Sequence, residues 1–179
     1  RVRTEEVRRR AEDALRESED LYRRAIMGAD AVPYCRDHRT HSYAFMGEGI
    51  EKITGYTAAE MTPQLMVSLI QETRMQGAMA HLSALEAIRL VRDGQLKEWR
   101  CDNLVRTRTG EMRWILDASA HVYDEQGALA GSVGILQDIT DRKLAEEKLR
   151  QSEDLYRRAI MAVDAVPYVL DCLTRRYTF

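Results

Sequence analysis

"DITDRKLAEEKLRQSEDLYR", residues 138–157, is the stretch on which the reading of this chain turns. Its first three residues suit the end of a strand. From 141 to 163 neither Gly nor Pro interrupts a run rich in Glu, Lys, Arg, Ala and Leu, which is the composition of a helix. At about 1.5 Å per residue that helix is ~34 Å long. Thr140 is placed to cap it, and Asp141 in its first turn complements the helix dipole. Asp138, Ile139 and Thr140 are therefore the candidate signal-transmission residues: a shift in the strand they end is expected to move a long, rigid helix.

The same helix is stated twice. Residues 11–34, "AEDALRESEDLYRRAIMGADAVPY", fall on residues 145–168, "AEEKLRQSEDLYRRAIMAVDAVPY", at an offset of 134, with 19 identities in 24 positions. The likeness continues more faintly, with Asp37, Thr40, Tyr43 and Phe45 meeting Asp171, Thr174, Tyr177 and Phe179. A period of 134 residues is domain-sized and too long for a solenoid unit. The expected organisation is a connector helix (1–29), one whole domain (30–140), a second connector helix (141–163) and the truncated start of a second domain (164–179). The tail carries two strands whose other sheet partners are absent from the chain. Leu15, Tyr22, Leu149 and Tyr156 stand on a weak heptad-like seam with steps of four and three, the candidate dimer seam. Such a stripe packs on its own domain about as often as on a partner chain.

Composition excludes several classes. A net charge of -2 lacks the basic excess that nucleic-acid binding needs, and Arg8, Arg9 and Arg10 read as the solvated face of a helix. No apolar run approaches the ~20 residues of a membrane span, so no membrane contact is expected within this chain. Cys35, Cys101 and Cys172 make an odd count without CxxC spacing, which suits free thiols in a reducing, cytoplasmic setting. The first residue is not Met, so the chain reads as a piece of a longer parent that could be membrane-anchored.

Between the copies, "AVPYCRD" (31–37) and "SYAFMG" (42–47) read as strands joined by "HRTH". Ile50 and Ile53 begin a short helix that Gly55 stops, and Thr57 with Glu60 forms a capping box for the next. A longer helix is expected from Met75 to Arg92, with Met79, Leu82, Leu85 and Ile88 on its apolar side and Gly94 at its stop. Three strands follow, turning at Thr109-Gly110 and Gln126-Gly127. In the middle one Trp114, Leu116, Ala118, Ala120 and Val122 alternate with Arg113, Asp117, Ser119 and His121, and only Ile115 breaks the pattern. The apolar set is expected to face the helices. The order predicts an antiparallel α+β domain.

Three words in this order, "GIEKITGYTAAEM" (49–61), "RTRTGEMRWI" (106–115) and the opening stretch, resemble the PAS sensory domain family with its C-terminal PAC-type motif. The resemblance covers residues 18–140 and implies a PAS fold. That means a five-stranded antiparallel sheet in the order 2-1-5-4-3, helices on one face, long flanking helices and a ligand pocket between sheet and helices. It implies a regulatory module in a bacterial signalling protein such as a histidine kinase or diguanylate cyclase. The partners it implies are a second copy through the flanking helices, adjacent PAS modules, a downstream effector domain and a small-molecule ligand.

Catalysis within the chain is not expected: P-loop, HExxH and GxSxG words are missing, Gly47, Gly49 and Gly55 lack dinucleotide spacing, and no His precedes an acidic residue as in a kinase phosphoacceptor. Flavin-binding relatives carry a reactive cysteine in an "NCRFL"-type word, whereas "MTPQLMVSLI" (61–70) has none, which excludes a covalent flavin adduct. In haem-binding relatives the ligand is a His on the long helix, and His81 is the corresponding candidate. His38 and His41, in a hairpin turn without a third ligand, read as a solvated loop rather than a metal site. Tyr43, Ile53, Met66, Met79, Leu82, Trp114 and Leu116 are the candidate pocket lining, although sequence alone does not separate a lined cavity from a filled core. The alternatives are a structural dimerisation module with a filled pocket and no ligand, and a haem-based gas or redox sensor using His81.

Overall fold

Strand pairing organises the structure, a computed structural model that describes residues 2–162, 169–171 and 176–178, leaving out the side chains of residues 2–7, 11, 15, 18, 19, 23, 27 and those beyond 162. The chain divides into two units, Arg1–Thr140 and Asp141–Phe179. The first opens with helix α1 (Val2–Gly28) and holds strands β1 (Ala31–Asp37), β2 (Ser42–Met46), β3 (Ile70–Met75), β4 (Glu98–Arg106), β5 (Met112–Tyr123) and β6 (Leu129–Asp138). Every pairing is antiparallel, in the order β2-β1-β6-β5-β4-β3. Helices α2 (Ile50–Thr54), α3 (Pro63–Leu69) and α4 (Ala84–Arg92) lie between β2 and β4 in the chain. Their residues Ile50, Ile53, Met66 and Leu69 share one buried cluster with Val32, Tyr34, Val105, Ile115 and Leu136 of the sheet.

The expected strand order recurs here as β2-β1-β6-β5-β4, with a sixth strand added at the edge. Among the described residues that strand, β3, pairs only with β4, through Thr73 opposite Asn103 and Met75 opposite Cys101. The expected helix from Met75 to Arg92 is broken up accordingly. Met75 ends β3, a single 3-10 turn occupies Gly77–Met79, and α4 starts only at Ala84. Gly77 takes a φ of +62°, and Ser83 with Glu86 makes a reciprocal capping box that sets the start of α4. Leu85, expected on the apolar side, is exposed, whereas Ala87 and Val91 are buried.

Other local signals hold. Gly55 ends α2 at a φ of +81°, and a Cβ there would lie 2.9 Å from the Cβ of Arg108. Thr57 and Glu60 exchange the hydrogen bonds of a capping box, but they close a turn rather than start a helix. α3 begins after Thr62, whose hydroxyl accepts from Leu65 N–H, with Pro63 in its first turn.

The phase of β5 is the main correction. Ile115 is buried in the core cluster, and Asp117, Ser119 and His121 share its face. Trp114 and Leu116 belong to the opposite face, where the Arg74 guanidinium lies 4.6 Å over the Trp114 ring. Two-residue alternation told the faces apart correctly. Neighbouring strands then decide which face is inside, and Val105, Cys101 and Leu136 commit β5 to the Ile115 side.

In the second unit, helix α5 (Thr140–Ala162) carries surface pairs such as Arg150 to Glu147 at 2.9 Å. Strands β7 (Val169–Asp171) and β8 (Arg176–Thr178) pair antiparallel. Asp171 opposite Arg176 and Leu170 opposite Tyr177 repeat, 134 residues on, the partners Asp37 with Ser42 and Arg36 with Tyr43. Residue 163 of the expected connector helix and residues 164–168, 172–175 and 179 of the expected second-domain start lie outside the described residues.

Candidate functional site

Between the sheet and its helices lies a cavity of about 620 Å³. Strand register orders its floor into rows. Arg36, Ser132 and His121 stand side by side on β1, β6 and β5. Tyr34, Gly134, Ser119 and Trp99 form the next row, and Leu136, Asp117 and Cys101 the one after it. Ile115, Asn103 and Thr73 follow. Met66, Ile70, Ile88 and Val91 complete the wall from α3, β3 and α4.

The floor is polar and tightly coupled. The Tyr34 hydroxyl donates to Asp117 Oδ1 at 2.7 Å. Burial pushes the Asp117 carboxyl up to about 6, against the lowering effects of the Tyr34 hydrogen bond and the Arg36 charge. Burial and the neighbouring Asp117 raise Tyr34, and the same causes carry Tyr43 to about 12. Cys101 is likewise pushed up to about 12 by burial, which disfavours its thiolate; its sulfur accepts from the Trp99 indole at 3.2 Å and the Asn103 amide at 3.3 Å. His38 and His121 face each other with ring centroids 6.4 Å apart, and burial lowers both below the usual imidazole range. Arg36 Nε, His38 Nε2 and both ring nitrogens of His121 are buried without a hydrogen-bond partner in the protein.

Of the expected lining, Tyr43 and Met66 line this cavity. Ile53 is core, and Met79 with Leu82 packs in a second cluster around Met75, Ala87 and Cys101. Trp114 and Leu116 are on the far face of the sheet, as the β5 phase requires. His81 sits in an exposed turn before α4, not on a helix, and is absent from the cavity lining, which removes the geometric basis for haem ligation by this residue. His38 and His41, expected in a solvated loop, both line the cavity. The polar row at its end escaped the sequence reading because its members come from three strands that only the fold brings together.

Asp138, Ile139 and Thr140 are held against β5. The Trp114 N–H donates to Thr140 Oγ1 at 3.0 Å, the Ile139 N–H donates to Trp114 O at 2.8 Å, and the Thr140 hydroxyl donates to Asp138 at 2.6 Å. Arg113 approaches the other Asp138 oxygen at 3.6 Å. The seam residues Tyr22, Leu149 and Tyr156 are exposed, while the Leu15 side chain lies outside the described residues.

Two of the sequence words meet in space. Arg108 donates to both carboxylate oxygens of Glu60, at 3.0 and 3.2 Å, and lies 4.8 Å over the Tyr56 ring. Its own N–H donates to Thr54 O at 2.9 Å, locking the hairpin after β4 to the end of α2.

An antiparallel sheet in this order, roofed by short helices over a cavity, defines the class of α+β domain. The sensory box histidine kinase/response regulator of Burkholderia thailandensis E264 matches 76% of this chain and 98% of its own, at 26% identity and a TM-score of 0.59. The N-terminal domain of a diguanylate cyclase with PAS/PAC sensor from Marinobacter aquaeolei matches 63% of this chain and 98% of its own, at 19% identity and a TM-score of 0.50. An RNA-binding light-oxygen-voltage receptor matches 79% of this chain and 38% of its own, at 18% identity and a TM-score of 0.55. The last two likenesses are of fold alone. No family model matches the chain, and no curated protein does. The fold is that of the PAS domains among these neighbours. Among the described residues no helix is long and apolar enough to cross a membrane.

Proposed function

We propose that residues 30–140 are a non-catalytic PAS sensor whose cavity state is relayed along the polypeptide to an effector domain, a histidine kinase or cyclic-dinucleotide enzyme. The observation that carries this reading is the continuity of β5. Its residues Ile115, Asp117, Ser119 and His121 line the cavity, and the backbone of Trp114 holds Ile139 and Thr140 at the exit. A displacement of the cavity floor is therefore one residue away from the exit on the same strand. The neighbours from a histidine kinase and a diguanylate cyclase support an effector of that kind. The 134-residue repeat, and the matching register of its two hairpins, support a tandem array of modules in a cytoplasmic part of the parent. The exposed seam residues Tyr22, Leu149 and Tyr156 suit a homodimer through the flanking helices. The cavity favours a sensor over a dimerisation module with a filled pocket.

Helix insertions in the parent protein test the relay. Three residues added after 150 rotate everything beyond them out of phase, whereas seven nearly preserve phase. Effector output should change with three and survive seven; equal output from both sinks the relay.

A further inference from the structure

We propose that the cavity takes an organic anion, a carboxylate carried on an apolar body, with its charged head against Arg36, His38 and His121. This names the ligand chemistry of the sensor proposed above and rests on that reading. Arg36 and His121 flank Ser132 on adjacent strands, at positions about 10 Å apart on one face of the sheet. The His38 ring completes the cluster, 6.4 Å from that of His121. Four nitrogen atoms of these three side chains are buried without a partner. Buried polar groups are nearly always satisfied, so this many at one end of one cavity mark the place of a missing polar partner, and the Arg36 Nε–H and an imidazole N–H among them need an acceptor.

Charge decides the kind of acceptor. Arg36 is a permanent cation and donor, and Arg92 lines the same cavity from α4. The carboxylate lining it, Asp117, already accepts from Tyr34. A cationic ligand would add charge to this surplus, whereas a carboxylate offers acceptors to the guanidinium and to an imidazole N–H. Bare inorganic anions do not suit the rest of the space. The cavity of about 620 Å³ falls within the range of small-molecule sites, and Met66, Ile70, Ile88 and Leu136 line it with hydrocarbon. From His121 to Ile115 the floor runs roughly 20 Å along β5, from a charged end to an apolar one. That gradient fits an amphipathic acid lying along the strand.

The test titrates the purified chain with phenylacetate and hexanoate, and in parallel with their neutral amides, by calorimetry and thermal shift. Saturable binding of an acid, at least about tenfold tighter than that of its amide, is expected, since a charge-assisted hydrogen bond supplies that factor. Arg36→Met should reduce acid binding to the level of the amide. Acid and amide binding alike, or neither binding at millimolar concentration, overturns the proposal. So does an unchanged acid affinity in a folded Arg36→Met chain. Should that variant fail to fold by circular dichroism, His121→Gln takes its place, with a loss of the acid-over-amide preference as the expected result and its retention as the refutation. Binding is read on this chain without an effector, so its failure leaves the relay standing. A phase-independent insertion series sinks the relay and leaves the site intact.

Discussion

The Tyr34 hydroxyl reaches across β6 to donate to Asp117 at 2.7 Å, passing over the row where Gly134 has no side chain. A phenol on one strand thus holds a carboxyl two strands away, and the carboxyl is titratable near pH 6 because burial disfavours its charge.

Stability should therefore respond to Asp117 with a defined sign. Its folded pKa is raised from 3.8 to about 6, so the folded state holds the extra proton in that window. The favourable contribution is complete below the unfolded value and is lost as pH rises through the folded one, a difference of at most about 3 kcal/mol. Asp117→Asn keeps an acceptor for Tyr34 and removes the charge. Relative to the parent it should be more stable at pH 8, with the advantage gone near pH 4, in urea melts at both values. His38 and His121, whose folded values are lowered, withdraw stability as pH falls through their unfolded range. They are present in both chains and cancel in the difference, whereas the attraction of Arg36 for the Asp117 charge is already contained in the value of about 6. A pH-independent difference between the chains would refute the assignment.

Gly134 permits this crossing. An added Cβ would lie 2.5 Å from Ser119 Cβ and 2.6 Å from Ala118 O, contacts that no rotamer change relieves. Gly134→Ala should lower stability by about 2–3 kcal/mol, as overpacking does. Adding Ser119→Gly should recover only part of it, because the clash with the Ala118 carbonyl remains. Full recovery in a denaturant titration would show that Ser119 alone fills the space.

How much of this was legible depended on whether the deciding partner was local. The Gly110 and Gly127 turns, and the stop at Gly55, are written in residues that must adopt positive φ, and all three stand where the turn chemistry puts them. The start of α4 is also written locally, in Ser83 and Glu86, a signal that the reading by the apolar spacing of Met79, Leu82, Leu85 and Ile88 did not use. β3 was hidden because an edge strand pairs on one side only, and Gln71, Glu72 and Arg74 read as surface. The cavity was hidden for a deeper reason. Its floor takes the polar side of β5, so the rule that sends polar residues outward points the wrong way at the functional site.

The contact between Arg108 and Glu60 looks strong and should matter little by itself. Both side chains are exposed, where ion pairs are screened by solvent and salt. Arg108→Ala should shift the melting temperature slightly, and less so at high salt. Gly55→Ala, which forces a Cβ into left-handed backbone and against Arg108, should cost at least about 1 kcal/mol whatever the salt. The two effects are separated by melts at low and high ionic strength, and a larger effect from Arg108→Ala would reverse the ranking.

Thr140 offers the sharpest handle on the exit. Its hydroxyl accepts from Trp114 N–H and donates to Asp138, so Thr140→Val removes both bonds with little change of shape. Leaving the half-buried Trp114 N–H without that acceptor should cost about 1–2 kcal/mol. Hydrogen exchange at the Trp114 amide should accelerate, whereas that at Ile139, whose N–H donates to the Trp114 carbonyl, should change less. In the parent protein the same substitution should weaken effector response to a cavity ligand without weakening ligand binding. Faster exchange at Trp114 with an undiminished response would mean that the strand end is merely anchored there, and that the signal leaves the domain by another route.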